Sequence, residues 1–337
     1  MRRRHGRRRY ARRSTSAAVL TSLALLAACA GGEGTGGTDG SPGGQDRGDG
    51  ELTPVTVGSL PIVDTAAIHL GVEQGIFAEH GLDVDLQIAQ GGAAVVPAVV
   101  SGEYQFGFSN VVSLLVASSQ GLDLQIVASG NSTSGDPAAD IGGVLTTPDS
   151  GISDPADLEG ATVAVNTLNN IGDVTISEVV AQDGGDPASV EFVEMGFPDM
   201  PAALSGEQVD AIWVLEPFFS IAKGDGAQVV AHNFAEVDPD MMVAAYFTSG
   251  QYAEQNADVT ESFTAAMEES LAYAEDHPDD TRAVLSTYTE IDPAITETMT
   301  MPSYPPQINA DSLQMLADLS LEYGVLEQEV DAQELLP

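Results

Sequence analysis

Pro54-Val-Thr-Val-Gly-Ser-Leu60, then Asp64 to His80, then Leu82-Asp-Val-Asp-Leu-Gln-Ile-Ala89 is the stretch that decides the fold class. The first segment is β-like, the second is helix-like and closes at Gly81, and the third alternates apolar and polar residues with period two. The same order recurs downstream. Gly92 to Gly102 is an Ala/Val-rich helix, Tyr104-Gln-Phe-Gly-Phe108 a strand, Val111 to Gly121 a helix and Leu124-Gln-Ile-Val-Ala128 a strand. Such β-α alternation implies a parallel sheet covered by helices. After Ile141 to Thr147 it starts again, with strands at Thr162–Val165, Val190–Val193, Val209–Val214 and Gln228–Ala231. From about Val259 the remainder reads as helix. Ser262 to Glu275 and Asp279 to Thr287 are amphipathic, and Asn309 caps a helix that ends at Gly324. Two α/β units followed by helices predict two lobes, with the tail packing back on the first. Residues 52–145 and 238–337 are expected to form lobe 1, and 146–237 lobe 2.

The N-terminus is of another kind. Eight of the eleven Lys and Arg residues lie between Arg2 and Arg13, and an apolar run, Ala17 to Ala28, ends in Leu26-Ala-Ala-Cys29. A basic region, a short apolar core and small residues before a cut site make residues 1–28 a secretory signal. The run is too short to span a membrane, which takes about 20 residues. Leu-Ala-Ala-Cys resembles a bacterial lipobox, which implies cleavage before Cys29 and attachment of diacylglycerol to its sulfur. Residues 29–51 then form a lipidated Cys with a tether; residues 30–51 hold ten glycines and almost no apolar side chains. The tether contains a literal G-x-G-x-x-G, Gly32 to Gly37, but no strand precedes it and no helix follows, so it has no phosphate-binding meaning. Cys29 is the single cysteine, so no disulfide can form within the chain.

Beyond residue 28 only Arg47, Lys223 and Arg282 stand against 51 acidic residues, a formal charge of −48. Such a surface repels nucleic acid and anionic lipid. Apolar residues make up 43% of the chain and fall in periodic segments, which separates it from disordered acidic chains. Adaptation to high salt accounts for the excess, because screening relieves self-repulsion.

Gly71-Val-Glu-Gln-Gly-Ile-Phe-Ala-Glu-His-Gly-Leu-Asp-Val84 resembles the opening signature of solute-binding proteins of the nitrate/sulfonate/taurine type, a branch that includes carriers of thiamine-pyrimidine precursors. The likeness continues through Gly91-Gly-Ala-Ala94, Ala98 to Gly107, Gly121 to Val127, Gly160 to Val165 and Asp210-Ala-Ile-Trp-Val-Leu-Glu-Pro-Phe218. It extends to Tyr246-Phe-Thr248, Ala272-Tyr-Ala274, Pro278 and Tyr323-Gly324. It implies an α/β, two-lobed periplasmic-binding-protein fold of type II, with two crossovers and a ligand cleft between the lobes. It also implies a lipid-anchored protein on the extracytoplasmic face of the cell membrane. Such a protein is a monomer that delivers a small molecule to an ABC permease and its ATPase, and it closes by a hinge near residues 144–148 and 233–244.

In open α/β sheets ligands bind beyond the C-terminal ends of strands, where helix N-termini present free N–H groups. That rule selects Leu60, Pro61, Asp64, Asn110 and Asn131 in lobe 1. In lobe 2 it selects Thr167, Asn169, Asn170, Phe197, Trp213 and Glu216. The Asn and Thr residues also suit helix caps. Trp213, the single Trp, suits either core packing or ring stacking, and Glu216 after Trp-Val-Leu needs a partner if buried. With so few cations, Glu216, Asp64 and Trp213 favour a heteroaromatic or amine-bearing solute, such as a thiamine-pyrimidine precursor. Aliphatic sulfonates, taurine or nitrate are the alternative.

Enzyme signatures are missing. His5, His69, His80, His232 and His277 include no pair at metal-ligand spacing, and there is no G-x-S-x-G or P-loop, so no metal and no cofactor is expected. A relationship to thiamine-pyrimidine synthases is a remote alternative, since their cysteine-rich motif cannot exist with Cys29 alone.

Overall fold

The strand-helix-strand pattern that begins at Pro54 builds a sheet in which β1 (Thr53–Ser59) pairs in parallel with β2 (Leu82–Ile88) and β3 (Phe106–Asn110). A computed structural model describes residues 52–89 and 91–337. The signal segment 1–28, Cys29 and the tether up to residue 51 lie outside the described residues. Between β1 and β2 the chain makes one 3₁₀ turn, Val63–Thr65, then α1 (Ala66–Gln74) and α2 (Ile76–Glu79). Gly75 separates the two helices at φ +80°, so the single helix expected over 64–80 is broken there. α3 (Gly92–Val100) and α4 (Val111–Ser119) flank β3, and β4 (Leu124–Ser132) follows.

β5 (Gly142–Thr146) opens the second sheet with β6 (Thr162–Val165), β7 (Glu191–Glu194), β8 (Ala211–Leu215) and β9 (Gln228–Ala231). Its helices are α5 (Ile171–Gln182), α6 (Met200–Ser205), α7 (Phe218–Gly224) and α8 (Asn233–Val237). The chain then returns to the first sheet as β10 (Met242–Ser249). It ends in α9 (Gly250–Gln255), α10 (Ala257–Asp276), α11 (Pro278–Tyr288), α12 (Pro293–Thr296) and α13 (Ala310–Glu322).

The strand orders are β2-β1-β3-β10-β4 and β7-β6-β8-β5-β9. Neither sheet is wholly parallel as the alternation predicts. β10 runs antiparallel to β3 and β4, and β5 antiparallel to β8 and β9. Each arrives from the other sheet rather than through a helical crossover, and a strand entering that way has no reason to run with its neighbours. The connections between sheets occupy residues 133–141 and 232–241. The boundary expected at 145/146 therefore falls inside β5, and the hinge expected at 144–148 overlaps its last three residues, which pair within the second sheet.

Packing follows from small and aromatic residues at matched register. Gly58 and Gly107 face each other across β1 and β3, and a Cβ on either would fall 2.5 or 2.4 Å from Val95 Cγ1. α3 thus lies directly on the backbone, which brings its N-terminus to the strand ends. On the opposite face Phe263 of α10 stacks on Phe106 at 3.8 Å and meets Tyr246 of β10 edge-on at 6.1 Å. Asp140 ties the two connections together. Its buried carboxylate accepts from Ser134 N (2.8 Å) and Ile141 N (2.7 Å) on one and from Ala235 N (3.0 Å) on the other. Among the described residues no helix is long and apolar enough to cross a membrane.

Candidate functional site

The C-terminal ends of β1, β3, β6 and β8 converge on a cleft of about 370 Å³, counted out to its open mouth. Leu60, Asp64, Asn110, Phe197 and Trp213 line it, as the strand-end rule predicts. Ile62, Gly92, Phe108, Asn166, Phe234 and Ala244 complete much of the wall.

The second-lobe wall is aromatic. Trp213 is 1% exposed, and its ring meets Phe197 at 5.8 Å and Phe234 edge-on at 5.6 Å. Gly172 stands behind it, where a Cβ would fall 2.8 Å from Cε3. The indole N–H donates to Asn233 Oδ1 (3.0 Å), and Asn233 Nδ2 donates to Thr175 Oγ1 (2.6 Å). Trp213 therefore offers the cleft a fixed ring surface, with its polar handle already used.

The first-lobe floor is polar. Asp64 is 1% exposed; its Oδ1 accepts from Asn131 Nδ2 at 3.0 Å while Oδ2 has no hydrogen-bond partner among the described residues. Asn131 Oδ1, Ser109 Oγ, Ser129 Oγ and the Tyr246 hydroxyl are likewise buried without partners. Buried polar groups are nearly always satisfied, so a local concentration of unsatisfied ones marks a place built for something else. Burial pushes the Asp64 carboxyl up to about 7, against the lowering effect of the Asn131 amide, and the charge of Asp140 adds a smaller upward push.

The other predicted residues serve different ends. Asn110 Oδ1 caps α4 through Ser113 N (2.9 Å), and Asn170 Oδ1 accepts from Ile171 N at the start of α5. Asn170 Nδ2 also donates to Ser113 Oγ (2.9 Å), a bond that joins the lobes. Thr167 stands 3.7 Å from where a Cβ on Gly91 would lie, again across the lobes. Pro61 is half-buried beside the floor, and Asn169 is exposed at φ +52°, its N–H given to Asp173 Oδ2 (2.6 Å). Asn131, Thr167, Asn170, Pro61 and Asn169 are not among the cleft-lining residues.

Glu216 is buried but does not line the cleft. Its Oε2 accepts from Ser220 N (3.0 Å), and its Oε1 accepts from Ser220 Oγ (2.7 Å) and from Thr300 N (3.3 Å). The partner its burial demands is the protein itself: the first turn of α7 and a segment of the tail. Burial raises its pKa against those hydrogen bonds. Among the described residues no group of three or more His, Cys, Asp or Glu side chains is placed to hold a metal ion.

Phe108, Phe234 and Ala244 escape the sequence reading because strand and connection residues of this kind look like ordinary core. For Ala244 the signal is the continuous apolar run 241–247.

Known proteins share this architecture. The alkanesulfonate-binding protein SsuA of Xanthomonas axonopodis pv. citri, bound to MOPS, superposes with a TM-score of 0.72 at 18% identity, covering 86% of this chain and 99% of its own. The periplasmic nitrate-binding protein NrtA of Synechocystis PCC 6803 gives 0.72 at 15% identity, covering 84% of each chain. The formylaminopyrimidine-binding protein of Halalkalibacterium halodurans is 23% identical over 223 residues, 65% of each chain. A putative ABC transporter periplasmic binding protein of Brachyspira hyodysenteriae is 25% identical over 232 residues, 64% of this chain and 61% of that one. The chain thus spans somewhat less than two thirds of the length of these two relatives. Residues 63–281 match the NMT1/THI5 like family, and the chain belongs to that family.

Proposed function

We propose that this chain is the extracytoplasmic solute-binding component of an ABC importer, held to the membrane by lipid on Cys29, and that its solute is a heteroaromatic amine. It binds and delivers rather than catalyses, passing the solute as a monomer to a permease driven by an ATPase subunit. The two-lobed architecture shared with SsuA and NrtA and the relationship to a formylaminopyrimidine-binding protein support the transport role.

The observation that carries the ligand class is the Asp64 carboxyl, buried at the floor of an aromatic-walled cleft with one oxygen unclaimed. A protonated carboxyl presents an O–H donor beside a C=O acceptor, and a ring nitrogen flanked by an exocyclic amine presents the complement. Ionised, the same group pairs with a protonated ring. Trp213 and Phe197 supply flat apolar surface for the ring. A sulfonate or nitrate would meet an unclaimed carboxyl oxygen inside a chain of strongly negative charge, and among the described residues no Lys or Arg lines the cleft.

Titration calorimetry with a formylaminopyrimidine, an alkanesulfonate and nitrate tests the reading. Micromolar binding of the pyrimidine, lost in Asp64→Asn and in Trp213→Ala, is the expected result. Micromolar binding of either anion, indifferent to both substitutions, would overturn it.

A further inference from the structure

Asp64 sits at the end of Leu60-Pro61-Ile62-Val63, a loop that crosses the floor of the cleft. Within the loop's own neighbourhood little holds it: Thr65 Oγ1 donates to Leu60 O at 2.7 Å and more weakly to Ile62 O at 3.2 Å. The remaining side-chain bonds come from more than 220 residues away. The Tyr288 hydroxyl, at the end of α11, donates to Ile62 O (3.0 Å), and the Tyr304 hydroxyl donates to Val63 O (2.8 Å). The two bonds fix the consecutive carbonyls that immediately precede Asp64.

The tyrosines are themselves held. The Tyr288 ring stacks on His69 of α1 at 3.6 Å, and burial keeps that imidazole neutral down to about 4. Tyr304 N donates to Glu275 Oε2 (2.8 Å), and the adjacent Ser303 pairs with Ser132 at the end of β4. Arg282 Nη1 donates to Thr296 O and Met299 O, which orders the segment between the two tyrosines. Both tyrosines lie beyond residue 281, where the family match ends.

We propose that Tyr288 and Tyr304 are positioning residues of the solute site: their hydroxyls, bonded to the Ile62 and Val63 carbonyls, hold the Asp64 carboxyl in its buried place at the cleft floor. The role in solute binding rests on the function proposed above. Besides these two, the groups acting on Asp64 among the described residues are Asn131 of β4, Tyr246 of β10 and Asp140 of the first connection, none of them a cation. Without the hydroxyl bonds the loop is free to lift toward water. Asp64 then gains hydration, loses its fixed direction and ionises more easily.

The test uses the full-length chain and the variants Tyr288→Phe, Tyr304→Phe and Asp64→Asn, with Tyr273→Phe as a control remote from the loop. The rings stay, so the packing of the tail is kept; thermal unfolding verifies that each variant is folded. In the ligand-free protein, carbon-13 titration of side-chain carboxyls should place Asp64 near 7 in the wild type. In each of the two loop variants its midpoint should fall toward the ordinary carboxylate range by about one pH unit or more. Calorimetry with a formylaminopyrimidine should show each Phe variant weakened at least tenfold, with the pH profile of binding displaced in the same direction; Tyr273→Phe should match wild type. An Asp64 titration unchanged in both Phe variants overturns the proposal, whatever the solute proves to be. Pyrimidine binding that survives Asp64→Asn overturns the ligand reading instead, and the titration still decides the positioning role.

Discussion

Asp64→Asn separates the energetic cost of the buried carboxyl from everything else in this acidic chain. The carboxyl moves from 3.8 in the unfolded chain to about 7 in the folded one. Between those values the native state keeps a proton that the unfolded state has released, so stability falls as pH rises from about 4 to about 7 and levels off above. Each unit is worth about 1.4 kcal/mol, which makes the loss about 4 kcal/mol for this one fully buried group. An asparagine of the same shape cannot ionise and turns its Oδ1 to the Asn131 amide. The two proteins should therefore be closest in stability near pH 4, already about 1.6 kcal/mol apart at pH 5, and fully diverged by pH 8, with the variant the more stable. At the lower end of the usual conversion for a chain of this size, 4 kcal/mol is roughly 8 °C in Tm. Calorimetric scans of both proteins at half-unit steps from pH 4.5 to 8.5 measure the gap. The repulsion among the other carboxylates is common to both and cancels in the difference. Two Tm curves that stay parallel over that range would refute the reasoning, because they would mean Asp64 is already ionised, and solvated, in the folded protein.

Asp140→Ala removes three hydrogen bonds to a buried carboxylate that staples the two connections, and should cost about 3 kcal/mol or more in urea unfolding. Glu216→Ala takes away the contact from α7 to Thr300 of the tail without touching a cleft wall, so small-angle scattering should show a larger radius of gyration in the ligand-free protein; an unchanged radius counts against a role in closure. Cys29→Ser should release the protein from the membrane fraction or leave it unprocessed, as fractionation and mass spectrometry would reveal. In molar KCl the Tm should rise above its value in dilute buffer, since screening relieves a formal charge of −48; a flat or falling Tm contradicts adaptation to salt.

The parts of the molecule legible in the sequence are those set by local rules. Thr162–Val165 and Gln228–Ala231 are strands at their predicted limits because each is a short β-rich run between turn signals, and Asn309 caps its helix through Ser312 N, as its position before an amphipathic run implies. β10 shows where local rules end. Met242 to Thr248 is buried almost throughout, so it carries no alternation, and its partners lie more than a hundred residues upstream. The site divides the same way. Asp64, Asn110, Phe197 and Trp213 were reachable because a strand end in an α/β sheet is a geometric address, whereas Phe234 and Ala244 belong to segments returning between lobes. Glu216 is the more instructive case. Buried carboxylates do need partners, but the sequence does not say whether the partner is a solute or a helix four residues on, and here Ser220 reaches it first. Asp64 differs because the residue that could have satisfied it, Asn131, claims only one oxygen and orients the carboxyl in doing so. A half-satisfied carboxyl is costly to keep in a folded chain. Its place at the buried floor of the cleft, in a chain with acid to spare everywhere else, supports the proposal that the second oxygen is kept for the solute.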